Sequence, residues 1–493
     1  MSATDDDSIM ASSHGGERLP SFIKQEAGKG IRDWVLHIIT PSILTRTSRQ
    51  PPTSKSYLDG LRGFAALLVY IQHHQVIARL GFPENSTDIF SNAYGYNNQH
   101  YFACLPFIRI FFSGGHFAAA TFYVISGYVL SVKPLQLIYR KEVGALGDLL
   151  ASSLFRRWMR LWLPVILTTV GYATTLHIFG IWTTFPKRAD TYRRELLIWY
   201  YFFKNFSFLL NQRSGESDLF PYNTHLWSIP VEFRGSIVIF TSLLALSRCT
   251  KGRRLWYAVV LICYFLYYIV DDGSPFYAMF VSGFLICQLD LLSTEGALPS
   301  LVTRIGENVH KRFSFWGLFL LSLYLGGVPT FSPDLEVLKV SPGWHSLLFL
   351  SPTSTDYKWY YLFFASSLLV LSVPRLPLVR WFFEGRFCQY LGQISFALYL
   401  VHGPVLWTLG DRLYLAVGWI REEHVEGMKD WMNLWPMSKK GPLGLEPAFL
   451  IPHLMLLPFT LWLAEVVTRL CDAPSVRFPR WLYEKSIRPP GDI

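Results

Sequence analysis

The stretch Tyr57–His74, YLDGLRGFAALLVYIQHH, decides how the rest of the chain is read. It is apolar and long enough to enter a bilayer, yet it carries Asp59, Arg62, His73 and His74. An ionisable side chain at the centre of a membrane helix costs roughly 2.5–3.5 kcal/mol on insertion scales, so such groups mark sites or pathways rather than ordinary spans. Arg62 and His73 are eleven residues apart. At about 100° per residue that spacing returns to nearly the same helix face, and at about 1.5 Å per residue it separates them by roughly 16 Å along the axis. One face of one helix therefore carries a fixed cation near its start and a proton acceptor deeper along it. His74 points about 100° away from His73, so the Arg62 spacing selects His73.

The composition agrees with a membrane setting. The 493 residues are 51% hydrophobic and only 16% charged, with a mean hydropathy of +0.26. Soluble proteins carry about 25% charged residues, so the expected fold class is an all-α, polytopic transmembrane helical bundle. The net charge of +10 does not point to nucleic acid, because the basic residues fall in short clusters between apolar spans, as in cytoplasmic membrane loops. The six cysteines form no CxxC pair and no metal-ligand spacing, so neither a disulfide framework nor a metal is expected. Met1–Arg18 has no apolar core of the signal-peptide kind, which leaves the first span to act as the membrane signal.

The hydrophobic pattern predicts about ten transmembrane helices, near 58–80, 113–132, 158–181, 224–247, 255–270, 275–291, 313–329, 358–373, 388–410 and 446–470. Residues 1–50 read as a disordered cytoplasmic tail with an interfacial helix within Phe22–Ile43, residues 51–475 as the membrane domain, and 476–493 as a cytoplasmic tail. Leu196–Leu210, LLIWYYFFKNFSFLL, is short for a span and reads as re-entrant or interfacial. Most basic clusters fall on one side if the N-terminus is cytoplasmic, whereas Lys187, Arg188, Arg193 and Arg194 fall on the other. The sequon Asn85-Ser86-Thr87 then lies in a lumenal loop, which makes Asn85 a glycosylation candidate and the endoplasmic reticulum the expected location.

Four further segments carry polar groups into apolar surroundings. Thr121–Ser131, TFYVISGYVLS, holds Ser126-Gly127, a pair of small residues that suits close helix packing. Phe155–Pro164, FRRWMRLWLP, places Arg156, Arg157 and Arg160 where a span leaves the cytoplasm. These arginines serve either as positive-inside anchors or as a phosphate clamp, since guanidinium binds phosphate bidentately. Thr224–Phe233, THLWSIPVEF, holds Trp227 and Glu232, and Leu391–Val405, LGQISFALYLVHGPV, holds Tyr399 and His402. Glu232 reads as a site carboxylate or as the partner of a buried arginine, and His402 as a hydrogen-bonded structural residue or part of the site. The residues alone define a membrane protein with an Arg–His–Glu site and an anionic ligand. A transporter is the rival class, although no paired broken helices occur in matching halves.

In this order and over residues 57–405, these five segments resemble the acyltransferase-3 family of multi-pass membrane acyltransferases. The aromatic-rich spans look most like members from filamentous fungi, many of which act on hydroxyls of terpenoids and other secondary metabolites. The resemblance implies transfer of an acyl group, usually acetyl, from cytoplasmic acyl-CoA (acetyl-CoA) to a hydroxyl of a lipophilic acceptor, on a lipid bilayer and without a metal. It assigns Arg62 and His73 to the required arginine and histidine of the first-helix motif. Arg156, Arg157 and Arg160 match the third-helix arginines, and Glu232 the acid after the Trp-Ser dipeptide. His73 is then expected as general base, with Glu232 orienting it, and the arginines as donor-binding groups. Asp59, Ser126, Trp227, Tyr399 and His402 would support the site. Ser126 has no base beside it in sequence and is not expected to carry an acyl-enzyme. The family's Glu-x-Pro element is replaced by Asp472-Ala473-Pro474, to which no role is assigned.

Overall fold

Apolar runs broken by basic turns become helices, because backbone groups in lipid have to satisfy their hydrogen bonds within the segment. The computed structural model describes residues 30–42, 55–80, 92–209, 219–267, 274–296, 311–330, 335–350 and 356–487, and helix is the only regular structure among them. Asn85 lies outside the described residues, as does the tail before residue 30. In chain order the principal helices are α1 (Ile31–Ile39), α2 (Ser56–Arg79), α3 (Gly115–Arg140), α4 (Val143–Ile178), α5 (Tyr192–Phe206), α6 (Ser228–Ala245) and α7 (Lys251–Tyr267). They continue with α8 (Ser274–Thr294), α9 (Lys311–Leu325), α10 (Tyr357–Ser372), α11 (Pro377–Glu384), α12 (Arg386–Val405), α13 (His453–Val467) and α14 (Ala473–Ser486).

Every expected crossing has a helix at its place, but not every helix is built as an ordinary span. Among the described residues five helices are long and apolar enough to cross a membrane, and a sixth joins them if the pair Tyr357–Arg375 and Pro377–Glu384, bent by 95°, counts as one. The chain is thus a helical membrane protein with five or six candidate spans by this measure. α7 and α9 have 17 and 15 described residues, and each borders residues outside the described ones. α2 has 24 residues but carries Asp59, Arg62, Gln72, His73, His74, Gln75 and Arg79. It tolerates them because the bundle surrounds it: His74, Gln75 and Arg79 are buried and bonded to Tyr414 Oη (2.7 Å), Gly444 O (3.3 Å) and Glu446 respectively.

The bundle is pinned where small residues let backbones touch. α2 packs along α12, and a Cβ on Gly63 would meet Gly392 N at 2.2 Å, while one on Gly60 would meet Phe383 O at 1.8 Å. The two glycines of LDGLRG are therefore contact points between helices. Contacts from Asp59–Gly392 through Arg62–Ser395 to His73–His402 advance in the same direction on both helices, so α2 and α12 run parallel. α3 and α8 meet similarly, with Gly127 against Phe280 O and Gly283 against Val124 O.

Two ends differ from the sequence expectation. α4 has 36 residues, about 54 Å at 1.5 Å per residue, against a hydrocarbon core of roughly 30 Å. The predicted span 158–181 is only its later part. At the C-terminus a helical run continues through Thr468–Asp472 into α14, which packs on α4, with Phe155 and Tyr483 at 5.3 Å. The expected boundary after residue 475 therefore falls inside a helix. α1 occupies nine residues of the expected interfacial segment, and its terminal carbonyls are held by Arg469, which donates to His37 O, Ile38 O and Thr40 O at 2.6–2.9 Å. α5 folds back along the end of α4, with Trp199 Nε1 donating to Thr169 Oγ1 (2.9 Å) and Leu197, Tyr200 and Tyr201 left exposed.

Candidate active site

Three helical segments bring three imidazoles together. α2 supplies His73, the 3-10 turn Thr224–Trp227 supplies His225, and α12 supplies His402. The rings of His73 and His225 lie 3.8 Å apart between centroids, and those of His73 and His402 are stacked at 5.1 Å. Side-chain bonds hold the turn that presents His225. Asn223 Nδ2 donates to Leu400 O (2.9 Å), its Oδ1 accepts from His225 N (3.3 Å), and the Tyr399 hydroxyl bonds to His225 O and to Ser228 Oγ (2.7 Å). Tyr399 thus serves the site through the backbone of its neighbour.

The hydrogen bonds fix which nitrogens carry protons in the neutral cluster. Leu398 O, an acceptor only, lies 3.2 Å from His402 Nδ1, so Nδ1 is the protonated nitrogen. His402 Nε2 is then a lone pair, and it accepts the proton of His73 Nδ1 at 2.9 Å. His73 Nε2 is left as a bare lone pair. His402 is 1% exposed and His225 9%, whereas His73 is only partly buried. The accessible imidazole is thus the one whose outer nitrogen can take a proton.

Nearer the start of α2 stands a second group of charges. Arg157 of α4 bonds Glu232 Oε1 of α6 at 2.5 Å, and the same oxygen accepts from Ser126 Oγ of α3 at 2.7 Å. Arg62 donates to Ser395 Oγ (3.1 Å) and Gly392 O (3.2 Å) and pairs with Asp59 at 3.4 Å. Arg160 stands within electrostatic reach of Arg157, Asp472, Arg62 and Glu232. Arg156, one position before Arg157, donates to Ser152 O (3.1 Å) in its own helix. Trp227 closes the turn that carries His225 and faces Phe276 (5.9 Å) and Trp359 (5.7 Å), with His116 at 5.4 Å from Trp359.

This arrangement corrects one expectation and extends others. Glu232 makes its hydrogen bonds with Arg157 and Ser126, so the partner that orients His73 is His402 and not Glu232. Ser126 is committed to that carboxylate, whose charge is already engaged by Arg157, and so has no base to activate it. Asp472, left without a role from sequence, lies with Arg160 and Arg62. His225 was not singled out from sequence, although HLW placed a second histidine two residues before Trp227. His74, as its angle implied, faces elsewhere and bonds Tyr414.

A polar face within a helical membrane bundle, with clustered histidines at one level and arginine–carboxylate pairs at another, is the kind of site a membrane enzyme carries. Residues 55–438 match the acyltransferase-3 family (Acyltransferase domain), and the chain belongs to that family and is an acyl-group transferase. It is 29% identical to the O-acetyltransferase PaAT-1 of Phomopsis amygdali over 496 residues, which span 92% of this chain and 89% of that protein. It is 24% identical to the acyltransferase R4 of a Phoma species over 74% of this chain and 85% of that protein. With the acyltransferase clz18 of Cochliobolus lunatus the identity is 25%, over 76% and 87%. No solved structure matches the chain.

Proposed function

We propose that the enzyme moves an acetyl group from acetyl-CoA to a hydroxyl of a lipophilic small molecule, a terpenoid or similar secondary metabolite, at the endoplasmic reticulum membrane. The observation that carries this reading is the bare Nε2 of His73, set by the chain Leu398 O–His402–His73, on the helix face that also bears Arg62. His73 Nε2 takes the proton of the acceptor hydroxyl as its oxygen attacks the thioester carbonyl. The C–S bond then breaks, and the imidazolium returns the proton to the departing thiolate, so no proton is left over. His402 stabilises the imidazolium through the Nδ1 hydrogen bond.

The donor's phosphates are assigned to Arg62, Arg156, Arg157 and Arg160, and its arm to the roughly 16 Å between Arg62 and His73. Glu232, Ser126, Asp59 and Asp472 keep the guanidinium groups positioned before the donor arrives. Trp227, with Phe276 and Trp359, forms the aromatic wall for the acceptor, which fits an apolar molecule bearing a hydroxyl. Ten crossings, residues 51–475 as the membrane unit and lumenal glycosylation at Asn85 complete the proposal. The parallel course of α2 and α12 supports the topology, since parallel spans require an odd number of crossings between them, and seven are expected there. The test is label transfer from radioactive acetyl-CoA to terpenoid alcohols by membranes carrying wild type or His73→Ala. Wild-type turnover in the variant would sink the assignment.

A further inference from the structure

We infer that the His73–His225–His402 cluster is a binding site for one divalent transition-metal ion of the zinc type, and that the ion inhibits the enzyme. The inhibition rests on the proposed role of His73; the site itself does not. One nitrogen from each imidazole lies within 4.8 Å of the other two, and among the described residues no other group of three histidine, cysteine or acidic side chains comes as close. Zinc binds imidazole nitrogen at about 2.0–2.1 Å in tetrahedral geometry, so two ligands on one ion lie about 3.3–3.4 Å apart. Closing the cluster on an ion draws its most distant pair together by at most about 1.4 Å, a movement that ring rotations share. His73 Nδ1 and His402 Nε2 are already 2.9 Å apart.

Three features suit a metal beyond proximity. The ligands come from three separate segments of the bundle, α2, α12 and the turn pinned by Asn223 and Tyr399, so their positions are fixed by packing. His402 Nδ1 donates to Leu398 O, the outer hydrogen bond that typically orients a metal-binding histidine. His225 Nδ1 is buried with no hydrogen-bond partner among the described residues, a polar atom that a bound ion would satisfy. An all-imidazole set suits zinc, copper or nickel and not calcium or magnesium.

The consequence for catalysis follows from proton placement. An ion bound to His73 Nδ1 and His402 Nε2 needs both lone pairs. The proton now on His73 Nδ1 then moves to Nε2 of the same ring, and the ring stays neutral. That is the nitrogen the reaction uses as base, so the metal form cannot accept the hydroxyl proton. No proton is released and no redox step occurs.

The full-length protein, purified in detergent with a chelator and desalted, is titrated with zinc chloride and its retained zinc measured. The expected result is one zinc per chain, lost in His73→Ala, His225→Ala and His402→Ala, with acyl transfer abolished by zinc and restored by EDTA. X-ray absorption at the zinc edge of the wild type, expected to show three nitrogen neighbours near about 2.0 Å, does not depend on any variant folding. No retained zinc, or retention unchanged in all three variants, overturns the site. Zinc held at the cluster with transfer undiminished overturns the inhibition and removes His73 Nε2 as the base. Activity abolished by EDTA alone also overturns the inhibitory role.

Discussion

Replacing His402 by phenylalanine removes the acceptor of the His73 Nδ1 proton while keeping a ring between Leu398 and the cluster. A buried donor left without a partner costs about 1–3 kcal/mol. The lost bond matters more in the transition state, where His73 is cationic and the bond is charge-assisted and about twice as strong. A differential loss of roughly 1.5–3 kcal/mol corresponds to about 10- to 150-fold in kcat. Removing the base itself by His73→Ala is expected to cost about 10²–10⁴-fold. The donor KM of His402→Phe is expected to stay within about twofold, because Arg62, proposed to hold the donor's phosphates, lies roughly 16 Å from His73 along α2. Steady-state label transfer with varied acetyl-CoA reads both parameters, and the unfolding temperature controls for folding. An unchanged kcat would refute the proton chain. A loss beyond about 10³-fold would exceed what one hydrogen bond supplies and would refute the assignment of His402 as a supporting partner.

Arg157→Ala leaves the part-buried Glu232 without its cation and is expected to destabilise the fold, by less than the roughly 3–5 kcal/mol of a fully buried pair, while raising the donor KM; Glu232→Ala in the same background restores part of the unfolding temperature if the two act as a pair. Gly63→Ala places a methyl against Gly392 N and is expected to cost at least about 1–3 kcal/mol, whereas Gly147→Ala, with open space around it, stabilises α4 by about 0.5–1 kcal/mol; thermal unfolding that ranks the two the other way contradicts the backbone contact. Arg469→Ala frees the last carbonyls of α1 and is expected to speed proteolysis near residues 37–42 without changing kcat; unchanged cleavage means that α1 is held by other contacts.

The sequence made the class of fold legible because its apolar runs and basic turns leave few alternatives to a helical bundle in lipid. Arg62 and His73 were legible as a pair because helical spacing is a local rule. What joins one helix to another was not. The turn to His402 as the partner of His73 depends on the parallel packing of α2 and α12, and the Gly63–Gly392 contact that sets its register joins residues more than three hundred positions apart. Glu232 reads from sequence either as a site carboxylate or as the partner of a buried arginine; that the arginine is Arg157 depends on how α4 crosses α6. His225 escaped notice because a histidine in a short turn has no periodicity to betray it.

The backbone contact between α2 and α12 has a mechanical meaning. Arg62 is tied to Gly392 and Ser395 at one level, and His73 to His402 at another, with touching glycines between the helices. Sliding either helix by a single residue, about 1.5 Å, would break both ties at once. The level of Arg62 and the level of His73 therefore behave as one stiff beam, and on the proposed reading any gate that admits or releases substrate has to be sought in the helices around it.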